Sequence, residues 1–324
     1  TCTANITNNL SNRNLIINGD MRIAQRGTSS TSEGYHTVDR FFSSGGGEDE
    51  IPTQAQVDVA AGTTPYTLGF RKAFGLTNGN QTGGAGTSDY VQPEYRIEAQ
   101  DIANSGWNYT SSSSFITVSF WVKSSVAGDY TFNMETHDGT AYRYLMEYTL
   151  SADTWTKVTK TIPGKSDLTF NNDNGIGATL MFYPYLGSAY VQADQENNWY
   201  ASSNSKYGTT STTTWWTTDN ATWEITGLQL EVGSVATDFE HRSFGDELAR
   251  CQRYYHDFAG TTYAVAHGSY SFSIFPFHCK MRANPTVAGT FSNGQSNYSN
   301  DMRGMYYHSG TNSNAQNVTF DAEL

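Results

Sequence analysis

Flat aromatic rings interleaved with amides and carboxylates are the side chains with which a protein holds a sugar. The rings stack on the C–H-rich face of a pyranose, and the amides and acids bond its hydroxyls. Residues 187–222, GSAYVQADQENNWYASSNSKYGTTSTTTWWTTDNAT, carry this mixture: Tyr190, Trp199, Tyr200, Tyr207, Trp215 and Trp216 stand among Gln192, Asp194, Glu196, Asn197 and Asn198. Trp107 and Tyr109, in NSGWNYTSS, form a second group. A long stretch without periodicity is uncommon in a compact domain unless it has a function. Two are open: the rings bind glycan, or they pin the loop to the body and to a neighbouring subunit. Trp121, Trp155 and Trp223 fall within strand-like stretches and are read as core.

Other chemistries have thinner support. Hydrolysis of a glycosidic bond needs two carboxylates about 5–10 Å apart in a cleft. Asp194 and Glu196 flank Gln195 beside Trp199, but two acids of one loop do not make such a cleft. The chain has no GxGxxG, P-loop, GxSxG, HExxH or CxxC motif. In Asn171-Asn172-Asp173-Asn174-Gly175 the glycine suits a calcium loop, but Phe170 holds the first ligand position, so the stretch reads as a turn. The expectation is no catalytic residue and no enzyme.

Composition narrows the class. Charged residues are 15% of the 324, aromatic residues 14%, with 21 tyrosines; a surface made of hydroxyls and amides in place of ion pairs suits an all-β protein working outside a cell. The net charge of −12 opposes nucleic-acid phosphates and anionic membranes as partners. No apolar run reaches the roughly 18 residues of a membrane span, and the opening TCTANITNNLSNRN has no visible signal-peptide pattern. Cys2, Cys251 and Cys279 form no disulfide framework; Cys251 and Cys279 read as buried thiols, with a bridge between them as the alternative.

The elements that would position these residues are short strands between turn clusters. Strands are expected near Leu15–Ile17, Asp39–Phe42, Gln56–Val59, Tyr66–Phe74, Tyr90–Ala99, Phe115–Lys123, Gly128–Glu135, Ala141–Leu150, Trp155–Ile162 and Thr179–Leu186. Asp138-Gly139 closes a hairpin. Trp223 to Val232 alternates, with one slip of phase at Gly227 where a bulge would restore the apolar face. The opening stretch near Leu15 and this strand are expected to be neighbours. Val235–Arg242 reads as an extended arm. Ser243 with Asp246 is a capping box, and Phe244, Leu248, Cys251 and Tyr255 recur at helical spacing. Beyond it, Tyr263–Ala266, Ser269–Phe277 (with Tyr270, Phe272 and Ile274 alternating), Pro285–Phe291, Met302–Tyr307 and Val318–Leu324 read as five strands.

The fold class expected is therefore mainly β: an arm of residues 1–13, a jelly-roll sandwich of 14–242, and a small α+β domain of 243–324 with one helix. So small a core calls for oligomerisation, expected through this end. No internal repeat, heptad or collagen-like period is present, which favours a compact module over an elongated shaft.

The run ITGLQLEVGSVATDFEHRSFGDELARCQRYY, the opening NLIINGDMRIAQRG with Val38-Asp39-Arg40-Phe41, and the ending NVTFDAEL resemble segments of tail-fibre and related structural proteins of tailed bacteriophages, especially marine ones. The resemblance implies a virion structural protein with a jelly-roll similar to carbohydrate-binding modules, and no enzyme. It also implies a trimeric fibre component, assembled in the host cytoplasm and acting extracellularly on the virion. Such jelly-rolls often hold a structural calcium ion between first and last strands; the nearest acids here are Asp20, Glu231 and Glu240. Host-surface glycan and other virion proteins are the partners expected, with Trp107, Tyr109, Tyr190, Trp199, Tyr200, Trp215 and Trp216 as glycan-binding candidates. A capsid decoration or head-fibre protein, and a carbohydrate-binding module of a secreted enzyme, are the alternatives.

Overall fold

The fold is read from a computed structural model, which describes residues 12–202, 206–258, 265–267, 270–291, 295–300, 303–309 and 315–324. Most of the expected N-terminal arm, Cys2, part of the expected strand Tyr263–Ala266, and the side chains of Tyr270, Phe272 and Ile274 lie outside that description.

The chain forms β1 (Ser29–Ser30), β2 (Phe41–Gly46), β3 (Thr53–Asp58), α1 (Thr64–Thr67), β4 (Lys72–Thr77), β5 (Tyr90–Glu98) and α2 (Ala99–Ala103). It continues through β6 (Phe115–Ser124), β7 (Gly128–Thr136), β8 (Tyr142–Leu150), β9 (Thr156–Pro163), β10 (Ile176–Tyr183), β11 (Tyr185–Leu186), β12 (Trp199–Ala201) and β13 (Thr222–Val232). One sheet has the order β1-β3-β4-β13-β6-β9; the other runs β11-β5-β10-β7-β8-β12, with β2 also on β5. The two face each other across a single core. Phe120 of β6 meets Phe182 of β10 edge to face, 5.2 Å between centroids, and Trp223 of β13 lies 6.0 Å from Phe182. The protein is mainly β, as its alternating strands demand.

Local chemistry explains most element ends. Pro65 in the first turn of α1 makes Tyr66 and Thr67 helical, so of the stretch read as one strand, Tyr66–Phe74, only the part from Lys72 is extended. β7 and β8 pair as the hairpin around Asp138-Gly139, where Gly139 has φ 64°. β13 carries its bulge where expected: the register against β6 shifts between Thr226 and Gln229. Leu15–Ile17 is not a ladder strand, but Leu15 N donates to Leu230 O at 2.9 Å and Leu228 N to Gly19 O at 2.9 Å, so the chain's opening does run beside β13. The approach is close: a Cβ on Gly19 would stand 2.1 Å from Leu228 O.

After the arm comes α3 (Phe244–Gln252), with Ser243 as its N-cap; the Ser243 Oγ accepts from Asp246 N at 3.2 Å and its hydroxyl donates to the Asp246 carboxylate at 2.7 Å. The buried stripe differs from the expected one. Phe244 is 59% exposed, whereas Glu247 and Cys251 are buried. The helix stops at Gln252, so Tyr255 belongs to the next strand and Tyr254 turns inward to pack with Cys251, Ile17 and Ile23. Glu247 is drawn in because it accepts from the amide of Asn18.

The remainder is β14 (Tyr255–Asp257), β15 (Val265–His267), β16 (Tyr270–Pro276), β17 (Thr286–Phe291), β18 (Gln295–Asn300), β19 (Arg303–Ser309) and β20 (Ala315–Asp321), seven strands where five were expected. They form the sheets β14-β20-β17 and β15-β16-β19-β18. Cys251 and Cys279 are free thiols. Among the described residues no helix is long and apolar enough to cross a membrane.

Candidate functional site

Alternation sends one face of β5, β7, β8 and β10 into the core and turns the other outward. On β7 the inward residues are Phe132 and Met134, which leaves Asn133 and Glu135 on the outer face. Arg143 on β8 is in register with Glu135. Met181 and Tyr183 on β10, and Tyr90 and Gln92 on β5, complete the floor of a cleft of about 290 Å³.

Residues 187–202 and 206–208 supply the wall. Tyr207 N donates to Tyr190 O at 2.9 Å and Gln192 N to Gly208 O at 2.8 Å, which ties the two pieces together above the sheet. Four tyrosines follow one another around the cleft, each edge-on to the next: Tyr183 to Tyr207 at 6.3 Å, Tyr207 to Tyr190 at 5.4 Å, and Tyr190 to Tyr90 at 6.0 Å. Tyr183 is buried; the other three are half-buried.

Arg143 is the centre of charge. Its Nη2 lies 3.1 Å from Glu135 Oε1, Nη1 donates to Lys206 O at 2.7 Å, and the guanidinium carbon sits 3.8 Å from the Tyr207 ring centroid. Burial works against its charge, but the Glu135 carboxylate and nearby tyrosines outweigh this, so its pKa stands above the ordinary value. Glu135 also accepts from the Ser202 hydroxyl at 2.5 Å. Burial pushes the Tyr183 phenol well up and the Tyr90 phenol up, so both remain neutral donors. Rings, hydroxyls, one guanidinium and one carboxylate held in fixed geometry can stack on a sugar and bond its hydroxyls.

Of the seven residues expected to bind glycan, the structure brings Tyr190 into this cleft and places Tyr200 beside it, with its hydroxyl on Lys206 O. The other five are core or support. Trp215 and Trp216 are 0% and 1% exposed, and Asn78 Nδ2 donates to both of their carbonyls at 3.0 and 2.8 Å. Trp216 Nε1 donates to Gly84 O at 2.8 Å. Trp199 packs on Tyr144 and donates to Pro163 O at 2.7 Å. Trp107 is buried with Phe170, and Tyr109 stands edge-on to both. These rings fill gaps at the sandwich ends, where a loop with large side chains saves the core from voids. Trp223 is core as expected, while Trp121 and Trp155 are half-buried on the outer face of the other sheet.

The three acids considered for calcium each make contacts within the protein. Asp20 pairs with Arg22. Glu231 accepts from Thr237 N at 2.8 Å and from Gln229 Nε2 at 2.8 Å, and Glu240 accepts from Asn14 N at 2.8 Å. The oxygens of Glu231 and Glu240 staple the arm and the opening segment along β13. Among the described residues no three His, Cys, Asp or Glu side chains gather as a metal site. Asp194 bonds Gln192, and Glu196 faces Lys160 at 3.6 Å.

Sequence reasoning missed Tyr90, Gln92, Glu135, Arg143 and Tyr183. All lie on strands; the one signal for Tyr90 and Gln92 was the stretch DYVQPEYRIE, whose tyrosines at 90 and 95 fall on opposite faces, and Glu135, Arg143 and Tyr183 carried none.

No family model and no curated protein matches the sequence. Among solved structures, the chain is similar to a CBM4 structure (14% identity, 67% of this chain, 98% of that one, TM-score 0.33). It is also similar to a family 11 carbohydrate-binding module of a Clostridium thermocellum cellulosomal cellulase (14%, 66% and 98%, TM-score 0.29). A third is the N-terminal cellulose-binding domain of a Cellulomonas fimi β-1,4-glucanase (11%, 66% and 99%, TM-score 0.31).

Proposed function

We propose that this chain is a non-enzymatic glycan-binding structural protein and that its ligand sits in the four-tyrosine cleft. The observation that carries the reading is the pinned Arg143 among Tyr183, Tyr190 and Tyr207. The Glu135 carboxylate and the Lys206 carbonyl already hold the guanidinium, so little ordering remains to oppose binding. The cleft volume stands at the low end of small-ligand sites, which suits one or two sugar rings.

At the level of the particle, the resemblance of the opening segment, the run 225–255 and the ending segment to tail-fibre proteins supports a virion component that attaches to host-surface glycans, self-associating as a trimer through residues 243–324. A capsid decoration protein would use the same cleft from another position on the particle, and a module of a secreted enzyme would use it beside a catalytic domain; the three resembling segments favour the first. The test is binding of the whole chain to an immobilised glycan array, with Arg143→Ala and Tyr207→Ala beside it. Binding that both variants weaken supports the reading, and binding that neither changes overturns it.

A further inference from the structure

The opposite sheet carries a second cavity, of about 370 Å³, on its outer face beside the β13 bulge. Trp121 projects there from β6, between the inward-facing Phe120 and Val122, and is half-buried. In register with it stands Lys157 on β9, an exposed side chain. The far wall is a triangle of rings: Phe70 to Phe239 at 5.0 Å, Phe70 to His241 at 5.2 Å and Phe239 to His241 at 4.9 Å. Phe239 and His241 belong to the arm that Gln229 and Glu231 hold down, so this wall is fixed by the same hydrogen bonds that staple the seam. Gly227 lets the strand pass beneath it: its φ is 64°, and a Cβ there would stand 2.7 Å from the Phe70 ring. Bulges often serve to re-aim side chains beside a site.

We propose that this cavity is a second saccharide site, distinct from the four-tyrosine cleft and independent of it, in which a pyranose ring stacks on the Trp121 indole while its hydroxyls bond Lys157 and the exposed carboxylate of Asp238. The polar groups decide the class of ligand. Aromatic walls with one carboxylate also suit a quaternary ammonium, but Lys157 stands opposite Trp121 and repels a cation. A wholly apolar ligand would strip water from Lys157 and Asp238 without replacing its hydrogen bonds. A sugar alone offers an apolar face to Trp121 and hydroxyls to both charged groups. Two sites on opposite sheets would let one chain engage two glycan strands.

The test uses the full chain labelled with 5-fluorotryptophan, whose seven tryptophans are followed by fluorine NMR, with Trp121→Phe assigning the resonance. The probes are methyl β-glucoside, methyl β-galactoside, methyl α-mannoside, N-acetylglucosamine and their β-1,4-linked disaccharides. The expected result is a saturable shift of the Trp121 signal by at least one probe. It should weaken about ten-fold in Asp238→Ala, an exposed substitution that spares the core, and persist in Tyr207→Ala. No shift from any probe, a shift unchanged in Asp238→Ala, or a shift lost in Tyr207→Ala would each overturn the proposal.

Discussion

Arg40 and Glu323, 283 residues apart in the chain, form an ion pair whose side chains are 1% and 5% exposed. The Arg40 guanidinium also lies over Tyr254, 3.5 Å from its ring centroid, and donates to Arg96 O at 2.7 Å. Arg26 reaches the same Glu323 at 3.3 Å and Asp321 at 3.0 Å. Arg40 holds a left-handed backbone, φ 74°, a cost of roughly 1–2 kcal/mol for a residue with a side chain. The motifs singled out near the start, at two-thirds and at the end of the sequence thus meet in one buried cluster. They build the seam between the sandwich and the C-terminal part, away from the cleft.

Removing one partner of such a pair leaves the other charge buried. Glu323→Gln and Arg40→Ala should each lose about 3–5 kcal/mol of stability in urea unfolding, while Arg40→Met combined with Glu323→Leu should recover most of it. Equal losses in the single and double variants would show that the pair is not what holds the seam.

A chain ending at Arg242 should not behave as a free sandwich. It would uncover Ile17 and Ile23, leave the Asn18 amide without Glu247, and strand Arg40 and Glu98, whose carboxylate accepts from Arg253 Nη2 at 2.8 Å. The expected outcome is aggregation or proteolysis at concentrations where the full chain stays soluble, read by light scattering and limited trypsin digestion. A soluble, cooperative fragment would show that residues 14–242 fold alone.

Two buried groups give opposite pH dependence. His256 is pushed down to about 4 by burial and then by the His278 ring 5.3 Å away. Its contribution is complete above the unfolded value of about 6.5 and is lost as pH falls towards 4. Asp39 is pushed up to about 6 by burial, despite hydrogen bonds from Gln25. The folded state therefore holds a proton that the unfolded chain releases, and its contribution grows as pH falls from 6. The thermal midpoint of the natural chain should change little between these limits; His256→Phe should rise in midpoint on acidification and Asp39→Asn should fall. Parallel curves for all three chains would contradict both assignments.

Gly19→Ala should be far more damaging than an ordinary exposed substitution, because the new methyl meets the Leu228 carbonyl, part of the central strand's backbone, and no rotamer relieves it. A loss of about 1–3 kcal/mol is expected from thermal unfolding; a neutral result would show that the opening segment can lift off β13.

In the cleft, Tyr207→Ala and Arg143→Ala should weaken glycan binding about ten- to a hundred-fold, the range for truncating one central contact. Tyr207→Phe, which keeps the ring, should retain most of the affinity. Trp216→Ala, by contrast, should act through folding, with a lower thermal midpoint as its main effect.

The strands of the sandwich were legible because their alternation had one apolar face, and the β13 bulge because a single glycine broke the phase of five apolar residues. The capping box located α3. Its buried side was not legible, since Glu247 turns inward only to meet an amide more than two hundred residues earlier in the chain. The cleft was hidden for a similar reason. Tyrosine serves on both faces of this sheet, with Tyr95, Tyr144 and Tyr148 turned into the core and Tyr90 and Tyr183 outward, so period alone could not say which rings look outward. The loop tryptophans misled because exposure was inferred from lack of periodicity, whereas Trp215 and Trp216 are anchors driven into the gap at the sandwich end. Of the seven rings, Tyr190, whose loop doubles back on Tyr207, lines the cleft, and Tyr200 stands beside it.

The docking of residues 321–324 beneath Arg26, Arg40 and Arg96 also has a mechanical side. A pull on the last strand is transmitted across these guanidinium contacts straight into the edge of the sandwich, bypassing α3 and the strands between. Load on the C-terminal part would then be borne in parallel by several side-chain contacts loaded together, so that rupture should come as one abrupt event at the seam before any strand of the sandwich gives way.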